Sequence, residues 1–270
     1  GCMSASRWIR ILLFIGAAWL LSIIYLSRQP PPVWIARDAI TRRSSFIDLE
    51  ARIPVRDGKL ARIATTAPGI TPPAPVSVKK GRAQIRVPIS ASVESHGMHL
   101  WSALPASGEA PPAISNGTLT ILDPHANWIA IDLDPLIADR PWDSLGTEDP
   151  PLPRAPALDG LLQLSQHAVL VCSTRLREDQ LPLFRKWWDR HSFPVSVIFP
   201  ESDLLSLSEL LASRLGAPVF HLTTVDRLPE GENRTPYSSP AFPVSRIAAD
   251  WQQVETQLLN LLMLKEKEQR

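Results

Sequence analysis

The sequence is poor in cysteine, glycine and net charge, and each shortage argues against a class of protein. Only two cysteines occur in 270 residues, Cys2 and Cys172, so no disulfide framework is implied. The 12 glycines form no glycine-rich loop of the kind that holds nucleotide phosphates. The formal net charge is +1, whereas a general nucleic-acid binder needs a clustered basic face.

One long hydrophobic run is present, close to the N-terminus. Residues 8–26 read WIRILLFIGAAWLLSIIYL, with Arg10 as the only charge and with Trp8 and Tyr25 near the two ends. A helix of this length spans about 30 Å, which is one bilayer core, and aromatic residues often lie at both membrane interfaces. The run predicts a transmembrane anchor over residues 8–27. A cleaved signal peptide is the alternative, but the run is long and no small-x-small site follows it.

The short basic tail ahead of this run bears on orientation. Such tails commonly stay in the cytoplasm, which favours a single-pass membrane protein with its body on the extracytoplasmic side.

Composition changes twice after the predicted anchor. Prolines cluster at 30–32 and again at 72–75, so residues 28–75 are predicted to be a proline-rich stalk or linker. Short alternating runs separated by turn residues then predict a small antiparallel β module over residues 76–124. Its clearest strands lie at 83–89, 98–104 and 117–122.

Residues 125–270 alternate between short apolar runs and amphipathic segments. The apolar runs lie at 128–131, 168–172, 195–199 and 218–222. Strands that alternate with helices at this spacing favour a parallel sheet with right-handed crossovers. The predicted fold class is therefore α/β, with an antiparallel β module and a transmembrane helix ahead of a parallel-sheet domain. Residues 244–270 are predicted to form a final amphipathic helix that packs against the sheet, with a short coiled coil as the alternative.

The carboxyl ends of the predicted parallel strands carry the candidate site residues. The first strand ends in Asp132-Leu133-Asp134, the second in Ser173-Thr174, and the last runs on to Asp226. Ligands of open parallel sheets bind outside the carboxyl ends of the strands. Side chains two residues apart on an extended strand point to the same side. We therefore expect the two aspartates, the two hydroxyl residues and Asp226 to surround one pocket.

The order and placement of these residues resemble the haloacid-dehalogenase (HAD) superfamily of phosphotransferases, and within it the lipin-like and actin-patch-type phosphatidate phosphatases. The resemblance covers residues 80–250. It rests on an apolar strand that runs into Asp132-x-Asp134, on a later strand that runs into Ser173-Thr174, and on a β module directly ahead of the first strand. It implies a HAD-like, Rossmannoid parallel-sheet domain over residues 125–270.

The resemblance also implies a phosphomonoesterase that works through an aspartyl-phosphate. Asp132 would attack the phosphoryl group, and Asp134 would protonate the leaving oxygen and then activate water. Ser173 or Thr174 would hydrogen-bond the phosphoryl oxygens. Mg²⁺ would be held by Asp132, Asp134 and Asp226. The expected substrate is a phosphorylated small molecule or lipid, and the expected partner is the lipid bilayer.

Two departures from the family pattern keep a second hypothesis open. No lysine lies between residues 186 and 265, whereas the family places a cation early in the helix before the last strand; Arg214 comes late in that helix. The fourth sequence motif of the family contains Gly-Asp followed by a second acid, whereas this sequence has a single acid, Asp226, at that place. The chain is therefore either a membrane-anchored phosphatase or a catalytically inactive HAD-like module that binds a protein partner or stabilises a membrane complex. In the inactive module, Ser173 and Thr174 would simply cap the following helix.

Overall fold

The computed structural model describes residues 19, 32–42, 46–70, 73–89, 97–107, 113–200, 204–216, 220–223, 238–239 and 242–246. The strands of the N-terminal part are β1 (Val33–Ala36), β2 (Ala39–Arg42), β3 (Phe46–Arg52), β4 (Leu60–Thr65), β5 (Val76–Ser77), β6 (Arg82–Pro88), β7 (Gly97–Pro105), β8 (Ala113–Ser115) and β9 (Gly117–Leu122). They form a first sheet in the order β6-β3-β1-β8 and a second sheet in the order β2-β9-β7-β4-β5.

These two sheets pack face to face, because alternate residues of their strands are apolar. In β3, for example, Ile47, Leu49 and Ala51 are buried while Phe46 and Asp48 are exposed. The buried residues of both sheets form one core around Trp101. Most strand pairs are antiparallel, except that β1 pairs with β8 and β2 pairs with β9 in parallel. The result is a β-sandwich.

Two segments cross from the first sheet to the second at the same level of the sandwich. Arg37 and Asp38 join β1 to β2, and Asn116 joins β8 to β9. A Cβ on Gly117 would lie 2.5 Å from the carbonyl oxygen of Arg37 and 3.0 Å from that of Ala36. The same Arg37 carbonyl accepts a hydrogen bond of 2.8 Å from the Trp101 indole. Close passage of the two segments therefore requires glycine at position 117.

The C-terminal part has a sheet of its own. Its strands are β10 (Trp128–Asp132), β11 (Val169–Ser173), β12 (Val197–Phe199), β13 (Phe220–Thr223), β14 (Ser238–Ser239) and β15 (Phe242–Arg246), in the order β12-β11-β10-β13-β15-β14. All described pairs in this third sheet are parallel except β14 with β15. The helices are α1 (Asp134–Ile137), α2 (Ala155–Ser165), α3 (Leu181–Arg190) and α4 (Leu204–Leu215). Single 3₁₀ turns lie at Trp142–Ser144 and Glu178–Gln180.

Both faces of strands β10, β11 and β12 of the third sheet are covered, which explains why these strands are nearly continuously apolar. One face packs against α2 and α3, where Trp142, Phe184 and Trp187 contact one another edge-on or stacked. The other face packs against α4 and against Ile40 and Leu122 of the sandwich. The sandwich and the third sheet thus share a core.

The predicted fold class was wrong. Mixed and antiparallel sheets make up most of the described chain, so it is not a HAD-like, Rossmannoid parallel-sheet protein with a small β attachment. Strands already begin at Val33, within residues 28–75, which the sequence pattern assigned to a stalk or linker. Strands β3 and β4 alternate buried and exposed residues as β6 does, but β1 and β2 do not, and the proline clusters on either side of these strands favoured a linker.

The predicted anchor and membrane location also need correction. In the part of the chain that the structure describes, no helix is long and apolar enough to cross a membrane. The structure therefore does not support a single-pass protein with an extracytoplasmic body. Apart from Trp19, the predicted span over residues 8–27 lies outside the described residues. The predicted C-terminal helix also lies outside them beyond Arg246, and residues 244–246 belong to strand β15.

Candidate functional site

Four of the five predicted site residues meet at one edge of the third sheet. Strands β10 and β11 are parallel neighbours, with Asp132 directly opposite Ser173. Asp134 is the first residue of α1, and Thr174 follows β11 immediately. Asp226 lies outside the described residues. These four residues thus lie together at the carboxyl ends of β10 and β11, and their proposed role as a catalytic and metal site stays a prediction.

The carboxylate of Asp134 accepts hydrogen bonds from three donors among the described residues. Its Oδ1 accepts hydrogen bonds from the Thr174 hydroxyl at 2.5 Å and from the Trp142 indole N–H at 2.8 Å. Its Oδ2 accepts one from the backbone N–H of Arg175 at 2.8 Å. The carboxylate thus joins the end of β10 to the segment after β11 and to the 3₁₀ turn. A backbone hydrogen bond, from the N–H of Leu133 to the Ser173 carbonyl at 3.0 Å, also connects the residue after β10 to β11.

The remaining residues of the cluster have no exposed surface. Asp132, Ser173 and Thr174 are each 0% exposed. The Ser173 hydroxyl points to the Ile131 carbonyl at 3.5 Å, and the Thr174 N–H donates to the Phe199 carbonyl at 3.0 Å. The Ser173 hydroxyl therefore bonds within the sheet, and the Thr174 hydroxyl bonds to Asp134 rather than to solvent.

The described donors do not form a site for Mg²⁺. Among them, no three side chains of histidine, cysteine, aspartate or glutamate converge in a way that could hold a metal ion. Both oxygens of Asp134 already accept hydrogen bonds, and Asp132 is buried. Mg²⁺ held by Asp132, Asp134 and Asp226 stays a prediction from the sequence.

A buried ion pair that the sequence did not reveal joins the sandwich to the third sheet. Asp38, in the segment that crosses between β1 and β2, accepts hydrogen bonds at 2.7 Å from the Arg185 guanidinium of α3 and at 2.8 Å from the Thr118 N–H. Its other oxygen accepts the N–H of Ile198, in edge strand β12, at 2.7 Å. Asp38 thereby pairs an edge N–H that would otherwise be unsatisfied. Burial raises the pKa of Asp38, while Arg185 and the two backbone donors oppose that rise.

A second contact fixes the end of α4 against the sandwich. The Arg42 guanidinium of β2 donates to the carbonyl of Leu215, the last residue of α4, at 2.8 Å. It also donates to the Asp123 carbonyl at 2.9 Å. The Trp128 indole donates to the carbonyl of Gly216 at 3.1 Å. A cation at a helix C-terminus is favourable because unpaired carbonyls point there.

A cleft of about 580 Å³ opens between the outer face of the first sheet and helix α4. Its sheet wall includes the outward residues of β3 and β6, and its helix wall includes three leucines and Arg214. None of the four catalytic candidates lines it. The cleft is thus separate from the sheet-edge cluster and is formed by both parts of the chain.

Most charges at the sheet wall are paired. Arg86 donates to both carboxylate oxygens of Asp48, at 2.8 and 3.2 Å, and its guanidinium also lies 4.3 Å from the centre of the Phe46 ring. Hydrogen bonding from Arg86, with a smaller contribution from the charge of Arg214, holds the pKa of Asp48 below its usual value. Glu50 is bonded to Arg82 and, at 3.3 Å, to Arg37.

One signal in the sequence could have located this wall. Asp48 and Arg86 stand opposite each other in the paired strands β3 and β6, and opposite charges at such positions attract. This charge pair can be predicted only if residues 46–52 are known to form a strand that pairs with β6. No comparable signal marks Asp38, Arg185 or Arg214.

Comparison with known proteins adds no assignment. No protein-family model matches the sequence, and no curated protein matches it. Among solved structures, the cell-surface-expressed, multi-modular chitinase ChiW from Paenibacillus sp. strain FPU-7 aligns over 73% of this chain with 12% identity and a TM-score of 0.21. The alignment spans 24% of the length of that enzyme chain. A likeness this weak carries no argument about fold or function.

Proposed function

We propose that this chain is a non-catalytic binding module in which Asp132 and Asp134 stabilise a sheet edge instead of transferring a phosphoryl group. The observation that carries the proposal is the set of three hydrogen bonds to Asp134, from Thr174, Trp142 and Arg175. A general acid must reach the leaving oxygen of a substrate. A carboxylate whose two oxygens are both occupied by donors of the chain is poorly placed for that role.

The burial of Asp132 supports the same proposal. A nucleophilic carboxylate must approach the phosphorus atom to about 3 Å along a defined line. Asp132 is 0% exposed and lies beside Ser173, which is equally buried. The helix before β13 offers only the late Arg214 as a cation, and that residue lines the separate cleft. This helix therefore offers no cation in its early turns to neutralise a phosphoryl group at Asp132.

The test is a phosphatase assay on the full chain with p-nitrophenyl phosphate and Mg²⁺, beside an Asp132→Asn variant. We expect the two proteins to show the same background turnover. Circular dichroism and a thermal unfolding curve check that both are folded. Asp132→Asn is the matched control, because it keeps the shape of the side chain and removes the nucleophilic oxygen.

A second candidate is a phosphomonoesterase that uses Asp132 as nucleophile. The observation that favours it is the meeting of Asp132, Asp134, Ser173 and Thr174 at the carboxyl ends of two adjacent parallel strands, which is where α/β proteins commonly bind ligands. Turnover by the parent chain that Asp132→Asn abolishes, with the fold intact, would establish this candidate and overturn the non-catalytic one.

A further inference from the structure

The cleft between the first sheet and α4 has the size and mixed chemistry of a small-molecule site. Its volume of about 580 Å³ falls within the range of about 300–1,000 Å³ that is typical of ligand pockets. Such pockets combine apolar walls with a few polar groups that orient the ligand.

Helix α4 supplies the apolar wall. Leu207, Leu210 and Leu211 all line the cleft, together with Phe199 at the end of β12. Leu210 is 51% exposed, whereas Leu211 is buried. The wall thus offers apolar surface that an apolar group entering the cleft would remove from water.

Among the described residues that line the cleft, one cation is available. Each acid among them already has a basic partner: Asp38 is bonded to Arg185, Asp48 to Arg86, and Glu50 to Arg37 and Arg82. Arg214 forms no hydrogen bond with any described residue, although it lies near enough to Asp48 to lower the pKa of that carboxyl. An anion that enters the cleft can therefore pair with Arg214 beside the three leucines.

We propose that this cleft binds an amphipathic anion, a molecule with one anionic group on an apolar body. The apolar body packs on Leu207, Leu210 and Leu211, and the anionic group pairs with Arg214. Asp48 limits the affinity, because its carboxylate repels the bound anion and competes for the same cation. This inference rests on the binding half of the proposed function and gives it a ligand class.

The experiment titrates the full chain with 8-anilinonaphthalene-1-sulfonate, a fluorescent amphipathic anion, and follows its emission. We expect one saturable site that Arg214→Gln weakens by about tenfold or more, as loss of a charged hydrogen bond does. Arg62→Gln is the matched control, since Arg62 is an exposed arginine of β4 that does not line the cleft. It should leave the affinity unchanged. Asp48→Asn should tighten binding by about threefold or more, because it removes a repelling charge.

Competition between the dye and alkyl compounds of opposite charge distinguishes pairing with Arg214 from packing on the leucines. Decanoate should displace the dye, and decylammonium, with the same chain and the opposite charge, should not. Equal affinity in Arg214→Gln and Arg62→Gln, equal competition by the two detergents, or no saturable site would each overturn the inference. Phosphatase turnover that depends on Asp132 would overturn the proposed lack of catalysis without touching this result, since Asp132 does not line the cleft.

Discussion

The sheet-edge cluster and the cleft both contain acids and hydroxyl or guanidinium groups, yet they differ in what those groups contact. At the sheet edge, the donors to Asp134 come from residues 142–175 of the same part of the chain, and they occupy both carboxylate oxygens. The cleft is lined from residue 37 to residue 214, by both parts of the chain, and keeps Arg214 available. A polar cluster whose groups hydrogen-bond to one another stabilises the fold. A cluster that has an unpaired charged group beside an open cleft can bind a ligand.

The largest effect is expected at the junction that brings the cleft walls together. Asp38→Asn removes the charge that pairs with Arg185 and leaves the guanidinium buried without its counter-ion. Breaking a buried pair in this way costs about 3–5 kcal/mol. We expect the free energy of unfolding, measured by urea denaturation at pH 7, to fall by that amount.

Asp48→Asn is the matched control for that substitution. It makes the same chemical change in an exposed pair, with Arg86, for which a loss of no more than about 1 kcal/mol is expected. Equal losses in the two variants would mean that Asp38 does not join the sandwich to the third sheet. The buried pair of Asp38 and Arg185 would then contribute no more to stability than the exposed pair of Asp48 and Arg86.

A smaller loss is expected at the sheet edge. Asp134→Ala leaves the Trp142 indole, the Thr174 hydroxyl and the Arg175 N–H without their acceptor. Orphaned donors at a partly buried site cost about 1–3 kcal/mol. Urea denaturation should show this loss, and Asp159→Ala, at an exposed position of α2, should change stability by less than about 0.5 kcal/mol. If Asp134→Ala proved neutral, the carboxylate would be free for another role and the proposed structural function would be wrong.

The sequence located the sheet-edge cluster because that inference needs only local patterns. Apolar runs predicted β10 and β11, and polar residues at their ends had to share one edge once the strands were parallel. It could not predict how Asp134 is used, because that depends on Trp142 arriving from a 3₁₀ turn. It could not predict the cleft at all, since Arg86 and Arg214 are 128 positions apart and meet only through the packing of the sandwich on α4.

The same reasoning explains the failure over residues 33–65. Strands β1 and β2 have only four residues and do not alternate, and the alternation of β3 and β4 lies between two proline clusters that are typical of linkers. Their assignment depends on partners such as β6 and β7, which lie later in the chain. Long-range pairing therefore decides the fold class, which local composition does not predict.

The smallest effect, and the one that depends on pH, is expected at the sheet wall of the cleft. Burial raises the pKa of Glu50, but Arg37 and Arg82 outweigh it and hold the pKa below its ordinary value of 4.5. A carboxyl whose pKa is lower in the folded state stabilises the fold above pH 4.5, and this contribution is lost as the pH falls through the folded-state pKa. At pH 7, Glu50→Gln should therefore reduce the free energy of unfolding by about 1 kcal/mol, since the network is partly screened by solvent.

Below the folded-state pKa of Glu50 the parent and the Glu50→Gln variant should be equally stable, because the parent side chain is then also neutral. Urea denaturation of both proteins at several pH values between 7 and 3 measures the difference. Glu148→Gln, at an exposed position, should show no difference at any pH in that range. A Glu50 effect that stayed constant with pH would mean that the side chain acts by packing and not by charge, and the paired wall of the cleft would have to be reinterpreted.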